Sequence, residues 1–132
     1  LGADLIKDPE VLEAAYNDSA GISAAFNLNI LRVLNARLGA DFEIESFDHV
    51  ASFNPQTEQM EMFLRATRPQ NVRLELLNLE ISFEEGEMLH TEISAKFRRE
   101  GIEAELTQAG LQPAHWWTDS DRKFAVTLSR KH

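Results

Sequence analysis

Cysteine is absent from all 132 residues. Without a thiol the chain has no disulfide, thiolate nucleophile or cysteine-held zinc, and it suits a reducing cytoplasm. Positive charge is scarce: 13 Lys and Arg stand against 22 Asp and Glu, a formal net charge of -9. Phosphate backbones are bound by basic faces, so nucleic acid is not an expected partner. The acidic residues are scattered from Asp4 to Asp121 without forming a tail, a pattern that serves solubility. No apolar run approaches the roughly 18 residues that span a bilayer, so no membrane association is expected either. Glycine is sparse, at six residues, and none sits in a phosphate-cradling loop. His49, His90, His115 and His132 are too dispersed to suggest a metal site. Nothing marks a Ser–His–Asp nucleophile. The chain by itself does not read as a complete enzyme.

What is present reads as a folded domain. The hydrophobic fraction of 43% lies far from the disordered class. Leu1-Gly2-Ala3-Asp4-Leu5-Ile6 reads as the end of a buried strand running into a loop, as though cut from something longer. Asp8-Pro9-Glu10 is a helix start, with Asp8 as cap and Pro9 at the first helical position, and predicts a helix to about Asn17. A second helix is expected from near Ser19, with Ile22, Phe26, Ile30, Val33, Leu34 and Leu38 as its apolar stripe and Gly39 as its stop.

Strand patterns follow. Residues 47–53 and 59–66 flank Asn54-Pro55-Gln56-Thr57-Glu58, a plausible hairpin connection. In the second strand Met60, Met62 and Leu64 share one face. The run 71–83 changes phase: Val72, Leu74 and Leu76 are even, whereas Leu79, Ile81 and Phe83 are odd. One strand cannot keep a single buried face through that switch, so a bulge or bend is expected near Leu77-Asn78. Residues 91–96 are extended or irregular, a helix is expected over 98–109, and two short strands near 114–118 and 123–129 close the chain. The fold class is α+β, with the first two helices packed on an antiparallel sheet containing 59–66 and 71–83.

Chemistry concentrates in Thr91-Glu92-Ile93-Ser94-Ala95-Lys96-Phe97. In an extended chain Glu92 and Ser94 point to the same side. A carboxylate and a hydroxyl converging on one pocket can accept from and donate to a small polar ligand such as an imidazole or an amine. The alternative is an exposed Glu and Ser leading into a helix.

Four stretches resemble the histidine-specific, S-adenosylmethionine-dependent methyltransferase family of ergothioneine biosynthesis. They are residues 1–8, Ala14-Ala-Tyr-Asn-Asp with Ala20-Gly-Ile-Ser-Ala-Ala-Phe-Asn-Leu-Asn, Phe47-Asp-His-Val-Ala, and Thr91-Glu-Ile-Ser-Ala-Lys-Phe, with Trp116-Trp117-Thr118-Asp119 beyond them. The resemblance implies a Rossmann-like methyltransferase domain with a second domain inserted before its last strands. It divides the chain into 1–94, a substrate-recognition domain inserted from about Asp8, and 95–132, the last helix and two strands of the methyltransferase sheet. It implies S-adenosylmethionine as cofactor, held mainly by an N-terminal half of the same polypeptide, with no cofactor-binding residue in this chain. The implied substrate is histidine, methylated on its α-amine without a metal or a covalent intermediate.

The same resemblance gives the site residues. Glu92 and Ser94 match the pair that holds the substrate imidazole, and Met62 resembles a wall of that pocket. Tyr16 matches a tyrosine that helps position the substrate carboxylate. Ser23 stands where the family usually has a threonine near the reacting amine. Asn27 and Asn29 read as helix-side hydrogen bonders, and Phe26, Trp116 and Trp117 as packing. Two other readings stay open: the same family acting on another aromatic amino acid or amine, and an acidic binding module without catalysis.

Overall fold

The computed structural model describes residues 1–131. Its architecture is α+β, built on antiparallel strand pairs and three α-helices. In chain order the elements are β1 (Gly2–Asp4), α1 (Pro9–Tyr16), α2 (Ile22–Leu38), β2 (Phe47–Asn54), β3 (Gln59–Ala66), β4 (Gln70–Leu74), β5 (Leu79–Phe83), β6 (Met88–Ala95), α3 (Arg99–Gln108), β7 (Leu111–Thr118) and β8 (Phe124–Lys131). None of the described helices is long and apolar enough to cross a membrane.

Both first helices start where a carboxylate meets free backbone N–H groups. Asp8 accepts from the Glu10 N–H at 2.9 Å, ahead of Pro9. The start of α2 lies later than Ser19, because Asp18 reaches over the turn to accept from Ile22 and Ser23 at 3.0 and 2.7 Å. Those bonds, led by the Ser23 N–H, hold the Asp18 pKa down at about 2. Gly39, at φ 60°, ends α2 in the left-handed conformation that costs glycine least.

Strands β2, β3 and β6 form one sheet with β3 in the middle. Met60, Met62 and Leu64 do share its buried face, at 0%, 4% and 0% exposure. Helices α1 and α2 cover that face, where Glu13 of α1 accepts from the Phe53 N–H of β2 at 3.1 Å. Of the six residues in the expected stripe of α2, only Leu34 and Leu38 pack on the core. Ile22 and Phe26 are 71% and 66% exposed, while Asn27 and Leu31 are the buried residues and Leu28, Leu34 and Leu38 pack on the core. The two stripes lie one residue apart, about 100° around the helix, and this sheet takes only one of them.

Residues 70–83 depart from the expectation of a bent strand in this same sheet. They form a separate two-stranded hairpin, β4 with β5, reversed through a 3-10 turn at Glu75–Leu77 and Asn78 at φ 47°. The register pairs Val72 with Ile81 and Gln70 with Phe83, so one face holds even positions on one arm and odd positions on the other. That explains the change of phase. Leu76 lies in the turn and is 73% exposed. The hairpin still shares the main core, since Val72, Leu74 and Phe83 pack with Leu31, Phe42, Phe47 and Leu64.

The third sheet runs β1–β8–β7, with β8 antiparallel to both neighbours. The strand at the head of the chain thus joins the two at its tail, and everything between residues 5 and 95 is looped out from that sheet.

Candidate functional site

The site is built on β6 and the end of α1. Pairing of β3 with β6 matches Met62 with Glu92 and Met60 with Ser94, but Phe63 with His90, so Thr91 is an extra residue. Its hydroxyl donates to the Met62 carbonyl at 2.9 Å. This bulge shifts the side-chain phase along β6. Leu89 stands opposite Leu64 at the core, yet Glu92 and Ser94 also face the methionine side of the sheet. Without the extra residue Leu89 and Glu92 would fall on opposite faces.

Glu92 borders an open cavity of about 270 Å³ together with Ala15, Tyr16, Ile22, Ser23, Phe26 and Met62. Four of the five predicted site residues (Tyr16, Ser23, Met62 and Glu92) therefore meet around one space. Ser94, the fifth, is not a wall of that cavity. It is tied to it by the Tyr16 hydroxyl, which donates to Ser94 Oγ at 2.8 Å. Ser23 reaches the Ala15 carbonyl at 3.5 Å.

A residue not singled out from the sequence completes the group. Lys96 is 4% exposed and donates to Tyr16 Oη at 2.8 Å and Ser94 Oγ at 3.0 Å. It also makes an ion pair with Asp4 Oδ2 at 2.9 Å, and Asp4 pairs in turn with Lys7. Burial disfavours the Lys96 charge, but the Tyr16 and Asp4 oxygens outweigh it and raise its pKa above the ordinary value. Burial likewise works against the Asp4 carboxylate, and Lys7 and Lys96 overcome it and lower its pKa. The signal was the alternation Glu92, Ser94, Lys96, three polar residues on one side of an extended segment.

Behind the cavity a neutral polar lock fixes α1 and α2 to β2. His49 Nε2 lies 2.8 Å from the Tyr16 carbonyl, which can only accept, so this nitrogen carries the proton. Nδ1 then accepts from Asn27 Nδ2 at 2.9 Å, and the same amide donates to the Phe63 carbonyl at 3.0 Å. Asn27 is thus a buried structural bonder, and Asn29 lies beside a neighbouring depression with Phe26 and Glu92. Trp116 lies under the Arg99 guanidinium at 5.3 Å, whereas Trp117 is half-exposed and stacks on His115. No cluster of metal-ligating side chains occurs among the described residues.

Residues 1–131 match the model of the family described as histidine-specific methyltransferase, SAM-dependent. The chain belongs to that family. It is 50% identical over 129 residues to a histidine N-alpha-methyltransferase of Mycolicibacterium smegmatis, covering 98% of this chain and 40% of that protein. It is 46% identical over 131 residues to a histidine N-alpha-methyltransferase of Mycobacterium tuberculosis, covering 99% of this chain and 41% of that protein. A third relative, ergothioneine biosynthesis protein 1 of Neurospora crassa, is 30% identical over 121 residues, covering 89% of this chain and 13% of that protein. The chain spans about two fifths of the length of the two bacterial relatives.

Proposed function

We propose that this chain is the substrate-recognising C-terminal part of an S-adenosylmethionine-dependent methyltransferase that acts on the α-amine of histidine. The observation that carries the reading is the meeting of Glu92, Met62, Tyr16 and Ser23 around one cavity, with Ser94 bonded to its tyrosine wall. Glu92 accepts from an imidazole N–H and Ser94 meets the other ring nitrogen. Met62 and Phe26 cover the ring, and Ser23, at the head of α2, stands near the amine. Tyr16 stands at the carboxylate end of the ligand, its hydroxyl accepting from Lys96 and donating to Ser94.

The residues present do not fit S-adenosylmethionine. None of the six glycines lies between the end of a strand and the start of a helix, and Gly21, Gly86, Gly101 and Gly110 face open space rather than a cradle. Cofactor binding belongs to the remaining three fifths of the polypeptide, and no step of the transfer is carried by this chain. Its own contribution is orientation and selection. Buried polar groups left unpaired by a wrong amino acid discriminate strongly.

The same reading assigns 1–94 to recognition, with its inserted body from about residue 8. Residues 95–132, with β1 alongside, belong to the edge of a Rossmann-like sheet. Two observations support this division: β1 and β7 run parallel on either side of antiparallel β8, and Phe124, Val126 and Leu128 of β8 remain about half-exposed.

The test is calorimetric titration of the full-length protein with histidine, its methylated forms, and other aromatic amino acids as controls. Glu92→Ala should weaken histidine binding by about 2–3 kcal/mol and Ser94→Ala by about 1 kcal/mol, with cofactor affinity unchanged. Undiminished histidine binding by a well-folded Glu92→Ala variant would sink the assignment.

A further inference from the structure

Lys96 has no place in the recognition scheme just given, yet it is the most buried charge near the site. Its three ammonium protons are all used, on Asp4, Tyr16 and Ser94. An ammonium only donates, so the direction of these bonds is unambiguous. Ser94 Oγ receives one proton from Lys96 and a second from the Tyr16 hydroxyl, the more acidic of the two hydroxyls. A serine oxygen accepts at two lone pairs and donates one proton. With both lone pairs filled, the Ser94 proton is free only for a group outside the trio.

We infer that Lys96 is a positioning and specificity-determining residue that makes Ser94 an obligatory hydrogen-bond donor, so that the site selects the neutral form of an imidazole ring. The inference rests on the proposed function. Glu92 offers only an acceptor and Ser94 only a donor. A neutral imidazole, with one N–H and one bare nitrogen, satisfies both. An imidazolium carries two N–H groups and would set one of them against the Ser94 proton.

The charged and titratable groups around this hub are Asp4 and Lys7 from β1 and its loop, Tyr16 from α1, Glu92 from β6 with Lys96 just after that strand, and His49 from β2 behind Tyr16. From β3 the neighbours are the uncharged Met60 and Met62. Lys96 is the natural pivot because it also joins the sheet of β1 and β8 to the recognition half. The Phe97 N–H donates to the Asp4 carbonyl beside that ion pair, at 3.0 Å.

The experiment is calorimetric binding of histidine to the full-length protein between pH 5.5 and 7.5. Over this range the ligand's ring titrates and its amine and carboxylate do not. Wild-type affinity should fall roughly tenfold from pH 7.5 to 5.5, as a ring with pKa about 6.5 loses its bare nitrogen. Lys96→Met should bind histidine about tenfold more weakly at pH 7.5 and lose most of this pH dependence, because Ser94 is then free to accept. Tyr16→Phe keeps the Lys96–Asp4 pair and fills the place of Lys96→Met if that variant does not fold. It removes one of the two donors to Ser94 and should flatten the profile in the same direction.

Wild-type binding that tightens on acidification overturns the inference, as does a profile unchanged in a folded variant. Either result leaves the histidine site itself standing. Wild type that binds no histidine at any of these pH values removes the proposed function and the inference together.

Discussion

Along β3 Met60, Met62 and Leu64 face the helices and are buried, while Glu61, Phe63 and Arg65 face away. Along β8 the order is reversed. Ala125 and Thr127 are buried, at 1% and 4% exposure, whereas Phe124, Val126 and Leu128 stand 48%, 46% and 49% exposed. Both strands sit in the middle of three-stranded antiparallel sheets. The difference lies in what covers them. Two helices and the β4–β5 hairpin close the first sheet around Phe42, Phe47 and Phe83, whose rings meet at 5.5 to 6.2 Å between centroids. The second sheet has α3 against it, and among the described residues its larger side chains on β8 are left about half-exposed. A region with its own core stands beside one whose larger face awaits cover, and the relatives' additional length is where that cover belongs in the reading proposed above.

That contrast can be broken by mutation. Leu64→Ala should cost the most, about 2–5 kcal/mol in urea unfolding of the full-length protein, because a fully buried leucine leaves a cavity. A loss below about 1 kcal/mol would mean that the first core is not closed. Asn27→Ala comes next, at about 1–3 kcal/mol, since the Phe63 carbonyl and the part-buried His49 Nδ1 both lose their donor. Val126→Ala sharpens the other side of the comparison. In the 132-residue chain it should change stability by about 0.5 kcal/mol at most. In the full-length protein the same change should cost about 1–2 kcal/mol, because there the side chain is covered. Equal small effects in both would show that the β8 face stays open.

The smallest effect concerns pH. Asp18, held at about 2 by the α2 N–H groups, stays charged in the fold at pH values where an unfolded aspartate, near 3.9, takes up its proton. A depressed folded pKa contributes stability above the unfolded value and loses it as pH falls through the folded one. The stability gap between wild type and Asp18→Asn should be constant above about pH 5 and close as pH falls toward 2. An NMR titration of the Asp18 carboxyl should show a midpoint near 2; a midpoint near 4 would mean that the carboxylate does not cap α2.

Local signals read well. Asp8 and Pro9 start α1, Gly39 stops α2, and the Met60–Met62–Leu64 face is the buried one. The run 71–83 was legible as broken but not as a hairpin, because parity reveals a change of face and not whether the chain bends or reverses. The α2 stripe misled because two apolar stripes lie side by side and periodicity cannot say which one meets the sheet. Glu92 and Ser94 stood out as a carboxylate and a hydroxyl two residues apart. Lys96, two residues further on, did not, since a lysine after a strand ordinarily points to water.

What the sequence determined by itself is whatever depends on neighbours along the chain: caps, stops, strand alternation, and a family pattern with the site residues it implies. Tertiary structure alone decided what depends on residues distant in sequence. It set the Thr91 bulge that turns Leu89 and Glu92 to one face, and it brought Tyr16 to Ser94 across 78 positions. It also buried Lys96 against Asp4, a partner supplied by the other end of the chain. The physical reason is that hydrogen bonds and burial act over a few ångströms of space, whatever the separation along the chain.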